Sequence, residues 1–238
     1  MQEQTLGRRA RLRAQTTAEI KAVALKHLSE GGPDAVSLRA IGREMGMSGS
    51  AIYSYFETRD ALITTLISDI YTSLLDQVEA ARDAVAAGDV AGRIMAWGHA
   101  VRAWSLANPE GFRLIYGDPV AGYQAPAGGP APEAAKRACL GLTELAAAAW
   151  PHARATQPDT GHQWADFSPA LAATVREHLP DLPPAAVALA LRLWGRMHGL
   201  ISLEVYGHLG PQTGDPAKLY HAELLDLVRS LNLTPENS

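Results

Sequence analysis

Apolar side chains recur at every third or fourth position over most of this 238-residue sequence. The clearest row is Leu62, Leu66, Ile70 and Leu74, which i, i+4 spacing places on one face of an α-helix. No segment shows the two-residue alternation of a half-buried β-strand, and no repeat of fixed period is present. The pattern therefore predicts an all-α fold.

The N-terminal residues predict a basic arm followed by a first helix. Residues 1–15 are rich in arginine, and we expect them to be flexible. Thr16 or Thr17 is a suitable N-cap for the helix, and Ile20, Ala24 and Leu28 supply its buried face. Glycines 31 and 32 and Pro33 end it, since glycine accepts left-handed dihedrals and proline cannot continue a helix.

Residues 37–62 read SLRAIGREMGMSGSAIYSYFETRDAL and predict two short helices joined by a turn. The first runs from Ser37 to about Met45, Gly46 supplies the turn, and Ser48 begins the second. Such a helix-turn-helix suits DNA, because one helix crosses the phosphate backbone while the other enters the major groove. The alternative is a pair of packed helices without a DNA role.

Polar residues of the second short helix are left to face outward, because Ile52 and Phe56 form its buried pair. Thr58 then caps a long helix that connects this head to the remainder of the chain. We expect a three-helix DNA-binding head over residues 1–60 and an antiparallel helical bundle over residues 61–238. The body's predicted elements are helices at 90–108, 110–116, 133–149, 168–178, 183–208 and 215–231, a loop at 117–132 and an irregular stretch at 150–167.

Charge is distributed unevenly along the chain, which has a net charge of −4. Residues 1–60 carry nine Lys and Arg against seven Asp and Glu, whereas residues 61–238 carry twelve against eighteen. A basic head on an acidic body fits nucleic-acid binding by the head. The single cysteine, Cys139, excludes an internal disulfide framework and a four-cysteine zinc site. No apolar run reaches the roughly 18–20 residues that cross a bilayer, and no signal peptide is evident, so we expect a cytoplasmic protein.

The stretch GMSGSAIYSYFETRDAL resembles the head of the TetR family of transcriptional regulators, and the likeness covers about residues 15–65. It consists of a Gly-hydrophobic-Ser turn, an apolar-Tyr-x-Tyr-Phe run and a Thr-Arg-acid-x-Leu helix opening. The resemblance implies DNA contacts by Arg39, Ser48, Gly49, Ser50, Tyr53, Tyr55 and Arg59. Glu57 departs from the family pattern, in which a basic or polar residue is more usual.

We expect the arm arginines and the neighbouring serine hydroxyls to bind DNA together with the residues that the resemblance implies. The arm arginines are expected in the minor groove or on phosphates, although they also suit a solvated tail. The full set is Arg8, Arg9, Arg11, Arg13, Ser37, Arg39, Ser48, Gly49, Ser50, Tyr53, Ser54, Tyr55 and Arg59.

Residues 193–209 resemble a C-terminal segment found in one branch of the same family. The matching residues are Trp194, His198, Gly199, Leu203 and Glu204. The resemblance implies a homodimer in which this helix and the last one pair with their symmetry mates. Two heads would then face a palindromic operator about one DNA turn or somewhat more apart.

The same resemblance implies a small-molecule effector in the body, of unknown identity. A pocket for it would be lined by apolar and aromatic groups with few polar ones. Candidates are Trp97, His99, Trp104, Phe112, Tyr116, Met197, His198 and Tyr206. Residues of these types at helical spacing are also ordinary core residues, and that alternative stays open.

No pattern in the sequence predicts catalysis. The eight histidines show no metal-ligand spacing, and the HExxH, GxSxG and phosphate-loop motifs are absent. Cys139 lies in an alanine-rich segment without a neighbouring histidine, so we interpret it as a small core residue. The sequence thus predicts neither a cofactor nor a metal. A ligand-responsive repressor is the favoured function, and a helical scaffold or small-molecule-binding protein that does not contact DNA is the alternative.

Overall fold

A computed structural model describes residues 7–32, 35–158 and 161–234, and in these ranges it confirms the all-α prediction. The described part contains nine α-helices and two short 3₁₀ helices, Ile52–Ser54 and Trp164–Asp166. The α-helices are α1 (Arg8–Gly31), α2 (Leu38–Glu44), α3 (Arg59–Asp83), α4 (Val90–Ala107), α5 (Pro109–Tyr116), α6 (Pro132–Ala153), α7 (Pro169–His178), α8 (Pro184–Val205) and α9 (Pro216–Ser230). None of them is long and apolar enough to cross a membrane.

The chain forms two compact units that are not continuous in sequence. The head unit comprises Met1–Ile70 and Glu110–Ala131, and the body unit comprises Tyr71–Pro109 and Pro132–Ser238. The segment that contains most of α5 and the following loop therefore folds with the head. The functional division after residue 60 stays a prediction.

The basic arm is largely helical, which corrects the prediction of a flexible segment over residues 1–15. Helix α1 begins at Arg8, and the hydroxyls of Thr16 and Thr17 accept no capping bond but donate to the carbonyls of Leu12 and Arg13 within the helix. The physical reason is that arginine, alanine, leucine and glutamine are strong helix formers. Residues 1–6 lie outside the described part. The predicted end is confirmed, since α1 stops at Gly31 and Gly32 has φ +68°.

The helix predicted to begin at Ser48 is not a continuous α-helix in the structure. From Ser48 the chain makes turns and then only the 3₁₀ helix Ile52–Ser54. Hydrogen bonds from Ala51 N–H to the Ser48 carbonyl and from Ser54 N–H to the Ala51 carbonyl are of the i+3 type. Glycine and serine near the start of this segment disfavour continuous α-helix, and a short element gains little from helix propagation. The buried pair is confirmed, because Ile52 and Phe56 are both buried.

Helix boundaries in the body follow the capping residues. Asp89, Ser168 and Asp215 accept hydrogen bonds from backbone N–H groups at the starts of α4, α7 and α9. One prediction was wrong: α6 runs to Ala153, although residues 150–167 were expected to be irregular. Pro151 lies in the final turn of α6, so only two residues of the helix follow it.

Glycines allow the closest helix contacts in the body unit. A Cβ atom on Gly141 of α6 would lie 2.5 Å from the ring of Trp97 in α4, and one on Gly98 would lie 2.6 Å from Leu224 in α9. The Trp97 side chain is thus enclosed between helices, with the Arg82 guanidinium 5.7 Å from the centre of its ring. Tyr220 is also buried and donates its hydroxyl to the Gly98 carbonyl.

Candidate nucleic-acid interface

The helix-turn-helix of the head unit is held together by close packing of α2 on the 3₁₀ helix. Gly42 is buried, and a Cβ atom there would lie 3.6 Å from the Ile52 side chain, which is itself fully buried. The tight turn between the two elements has Gly46 at φ +64°, a backbone conformation that favours glycine.

An ion-pair cluster braces α1 against α2. The Glu44 carboxylate accepts hydrogen bonds from His27 Nε2 at 2.6 Å and from Lys26 Nζ at 2.9 Å. The hydrogen bond from His27, followed by that from Lys26, lowers the pKa of Glu44 below its ordinary range. These hydrogen bonds therefore link the end of α2 to α1 while the carboxylate is ionised.

The outward side of the helix-turn-helix is polar and open to solvent. The Tyr53 side chain is 43% exposed, whereas the neighbouring Ile52 is fully buried. Ser37, Tyr55 and Arg59 are half-buried. The expected DNA-binding residues in the exposed class are Arg8, Arg9, Arg11, Arg13, Arg39, Ser48, Gly49, Ser50, Tyr53 and Ser54.

Four of the expected residues meet around one open groove of about 490 Å³. These are Ser37, Arg39, Tyr53 and Arg59, which come from the N-terminal side of α2, the 3₁₀ helix and the start of α3. The remaining lining residues are Val36, Leu38 and Ala121. Two guanidinium groups, a phenol hydroxyl and a serine hydroxyl are all hydrogen-bond donors, which suits an anionic partner such as a phosphate.

Arg13 has a different place from the other arm arginines. Its Nη2 donates to the Ser54 carbonyl at 2.6 Å, and its guanidinium carbon lies 4.8 Å from the centre of the Tyr55 ring. These contacts join α1 to the C-terminal end of the 3₁₀ helix. Arg13 therefore helps to hold the segment that carries Tyr53, whereas Arg8, Arg9 and Arg11 project from the first turns of α1.

The eight expected effector-binding residues are divided between the two units, and their role stays a prediction. Phe112 and Tyr116 are in the head unit, with ring centres 5.2 Å apart, and the other six are in the body unit. Trp97, Trp104 and Met197 are buried, and the indole N–H of Trp104 donates to Ser73. His99, His198 and Tyr206 lie nearer the surface of α4, α8 and the end of α8. None of the eight lines the head groove that contains Arg39 and Tyr53.

His99 forms a pair with His221 across α4 and α9. His99 Nε2 and His221 Nδ1 are 3.2 Å apart, and the rings stack with centres 5.3 Å apart. Partial burial lowers the pKa of His99, and the nearby charges of His221 and Arg102 lower it further. In residues 7–32, 35–158 and 161–234, no three His, Cys, Asp or Glu side chains form a group that could hold a metal ion.

The lowered pKa of His99 predicts acid sensitivity of the body unit. The unfolded chain holds the proton more tightly, so the stabilisation is complete above the ordinary histidine pKa of 6.5 and is lost as pH falls below it. We expect Tm to fall less in His99→Gln than in the wild type between about pH 7.5 and 5.5. Differential scanning fluorimetry at both pH values measures the difference, and equal falls in the two proteins would contradict the prediction.

Helix α8 has large apolar side chains on its exposed side. Its exposed side chains include Leu191, Trp194 and Leu203, which are 42–44% exposed. The rings of Trp194 and His198 lie 5.6 Å apart, as their four-residue spacing predicts. A Cβ atom on Gly195 or Gly199 would meet no atom within 4 Å. An open groove of about 530 Å³ continues the surface, lined by Arg196, Gly199, Leu200, Leu219, Ala222 and Glu223.

Comparison with known proteins decides the family. Residues 20–66 match the family described as "Bacterial regulatory proteins, tetR family", and residues 94–227 match "Tetracyclin repressor-like, C-terminal domain". The HTH-type transcriptional regulator Rv1816 of Mycobacterium tuberculosis is 33% identical over 231 residues, which cover 95% of this chain and 96% of that protein. The chain belongs to the TetR family of transcriptional regulators. The regulator Mb1846 of Mycobacterium bovis has the same identity and coverage.

Solved structures agree with this assignment. The crystal structure of the protein SCO4313 superposes on this TetR-family regulator with a TM-score of 0.72 and 37% identity, covering 94% of this chain and all of that one. A bacterial regulatory protein in the tetR family from Rhodococcus RHA1 has a TM-score of 0.58 at 16% identity, over 92% of this chain and 98% of that one. The second comparison shows the fold alone.

The sequence did not indicate that Ala121 lines the groove, because this residue lies in a segment that only its glycines and prolines marked as a loop. The distance in sequence between Arg59 and Ala121 hides their contact, because periodicity within a segment reports local structure only.

Proposed function

We propose that this TetR-family regulator is a ligand-responsive repressor that binds a palindromic operator as a homodimer. The observation that carries the proposal is the groove where Ser37, Arg39, Tyr53 and Arg59 meet on the polar side of the helix-turn-helix. Ile52 is buried on the opposite side of the same segment, which leaves the polar side to contact DNA. Because its target is chromosomal DNA, we place the protein in the cytoplasm.

Within this proposal the expected DNA-binding residues divide by chemistry. Tyr53 and Ser50 face base edges or phosphates, and Arg39 and Arg59 supply positive charge to the backbone. Gly49 has no side chain, so it contributes a close approach to the duplex rather than base recognition. Arg13 acts on DNA through its hold on Ser54 and Tyr55, in line with its contacts in the structure.

Equilibrium binding to the chain's own promoter fragment tests the function. We expect fluorescence anisotropy to give a log Kd that rises linearly with log salt, because Lys and Arg displace counterions from phosphates. A fragment of scrambled sequence at equal length is the control, and it should bind more weakly at physiological salt. Equal, weak binding to both fragments at every salt concentration would contradict a sequence-specific regulator.

We assign the homodimer contact to the exposed face of α8 and the adjacent groove at α9. Trp194 and Leu203 of α8 and Leu219 of α9 are large apolar side chains left 42% exposed, and exposed apolar groups of this kind mark protein interfaces. The unfilled space over Gly195 and Gly199 permits a partner helix to approach closely. The match of residues 94–227 to a tetracyclin repressor-like C-terminal domain also supports the proposal.

A charge placed on this face should separate the protomers. We expect Leu203→Glu to convert the dimer to a folded monomer, because a buried unpaired carboxylate is strongly unfavourable. Multi-angle light scattering at micromolar concentration measures the mass, and circular dichroism checks the helices. Leu106→Glu is the matched control, since Leu106 of α4 is 39% exposed against 42% for Leu203. If both variants keep the wild-type mass, the dimer lies elsewhere.

The effector in this proposal is a small molecule bound by the body unit. It would release DNA by binding more tightly to a conformer whose heads are wrongly spaced for the operator. Thermal-shift screening of a metabolite library, followed by operator release at the same concentration, tests this part. A compound that raises Tm but leaves operator affinity unchanged would contradict the coupling.

A further inference from the structure

The loop between α5 and α6 forms a defined turn at residues 120–123. The Val120 carbonyl accepts a hydrogen bond from Tyr123 N–H at 3.1 Å, and Gly122 has φ +68°. A residue with a Cβ atom rarely adopts this left-handed conformation, so glycine is suited to the position. The Val120 side chain is buried in the head unit. The turn is therefore an ordered part of the head, although 62 positions in sequence separate its second residue from the first residue of α3.

Three contacts join this turn and the residue after it to the start of α3. The Tyr123 hydroxyl is 2.8 Å from the Thr64 hydroxyl, and Gln124 N–H donates to the Asp60 carboxylate at 3.1 Å. The third contact is the hydrogen bond from Arg59 Nη1 to the Ala121 carbonyl, at 3.3 Å. The anchors at residues 60 and 64 thus hold the carbonyl of Ala121 beside the guanidinium of Arg59.

Arg59 is held from a second direction as well. Its Nε donates to the Val36 carbonyl at 3.0 Å, directly ahead of α2. The carbonyls of Val36 and Ala121 therefore orient the Arg59 guanidinium, a planar group whose N–H donors have a fixed geometry. The helix start does not need this arrangement as a cap, because the Thr58 hydroxyl already accepts a hydrogen bond from Ala61 N–H at 3.0 Å.

The orientation matters because Arg59 borders the groove that also contains Arg39 and Tyr53. A long side chain that is already ordered loses less conformational entropy when it binds a partner. Ala121 contributes to the wall of the same groove. We propose that the turn of residues 120–123 is a positioning element for operator binding, which holds the Arg59 guanidinium toward a DNA phosphate. This inference rests on the proposed function of the groove.

A double-mutant cycle tests the inference, using Gly122→Val and Arg59→Ala. A Cβ atom at residue 122 would meet no atom within 4 Å, so valine strains the turn through its backbone conformation alone. We expect Gly122→Val to raise the operator Kd about threefold to tenfold, the range for loss of one oriented hydrogen bond. In the Arg59→Ala background the same change should have no further effect, because the turn then has no guanidinium to orient.

The loop provides a matched control in Gly128→Val. Gly128 has φ +86° and equally open surroundings, but it lies outside the turn. We expect this variant to bind the operator as the wild type does. Tyr123→Phe, which removes only the hydroxyl that contacts Thr64, supplies the same cycle if Gly122→Val does not fold by circular dichroism.

Each outcome is decisive once the wild type binds its operator. Loss of affinity with Gly122→Val only when Arg59 is present supports the inference. Equal losses with and without Arg59, or no loss at all, overturn it while leaving the proposed function in place. A wild-type protein that binds no operator overturns the proposed function first, and the inference with it.

Discussion

Replacing Arg39 and Tyr53 together with alanine is expected to weaken operator binding about 100-fold, since each good contact to a base or phosphate contributes about 1–3 kcal/mol. Both residues line the same groove, and Tyr53 is the most exposed aromatic side chain of the head. Loss of the Arg39 charge should also reduce the slope of log Kd against log salt by about one. Anisotropy titrations over a salt series measure both quantities.

The matched control is Arg43→Ala. Arg43 lies on the same helix as Arg39 and is exposed, but it does not line the groove. We expect its removal to change the operator Kd by less than about twofold beyond the general loss of one positive charge. If Arg43→Ala weakens binding as much as the double variant does, the groove is not the site of recognition.

Replacing Trp97 with alanine is expected to lower the free energy of unfolding by about 3–5 kcal/mol, the range for a large aromatic residue removed from a packed core. Trp97 is only 3% exposed, and the Gly141 backbone packs against its ring. Neighbouring helices cannot collapse fully into the space, so the lost contacts are not recovered. Urea denaturation followed by circular dichroism measures the change.

Trp164→Ala is the comparison for this effect. Trp164 is a half-buried tryptophan in a 3₁₀ helix, with its ring against Phe167 and Arg176. Because less of its area leaves water on folding, its removal should cost clearly less than removal of Trp97. Equal losses of stability would contradict the interpretation of Trp97 as a fully packed core residue in contact with α6.

The sequence predicted those parts of the fold that depend on local chemistry. The i, i+4 row from Leu62 to Leu74 is buried along α3, and α5 ends at Tyr116 as expected. Thr58 accepts the predicted capping bond. These features follow from spacing, caps and backbone restrictions within one segment, which a single sequence displays directly.

The predicted helix boundaries were wrong where two local tendencies of the sequence compete. The arginine-rich N-terminus was expected to be an arm because its charge favours solvent, yet its residues are also good helix formers and α1 begins at Arg8. The opposite error occurred after Ser48, where a helix was expected and glycine and serine leave only a 3₁₀ helix at Ile52–Ser54. The buried Ile52 and the exposed Tyr53 were nevertheless placed correctly.

Contacts between segments that are distant in sequence could not be predicted from the sequence. The hydrogen bond between Arg59 and Ala121 joins residues that are 62 positions apart, and the loop composition only indicated irregular structure. Helical spacing likewise shows that Phe112 and Met197 face a core, but not that they belong to different units. Tertiary packing decides such questions.

Selection of bound DNA from a random duplex pool tests the central claim most directly. We expect the full-length wild-type protein to enrich a palindrome whose half-sites are separated by about one helical turn or somewhat more. The Arg39→Ala, Tyr53→Ala double variant should enrich no motif from the same pool. Enrichment of the same palindrome by both proteins, or of no motif by the wild type, would contradict recognition of DNA through the groove of the helix-turn-helix.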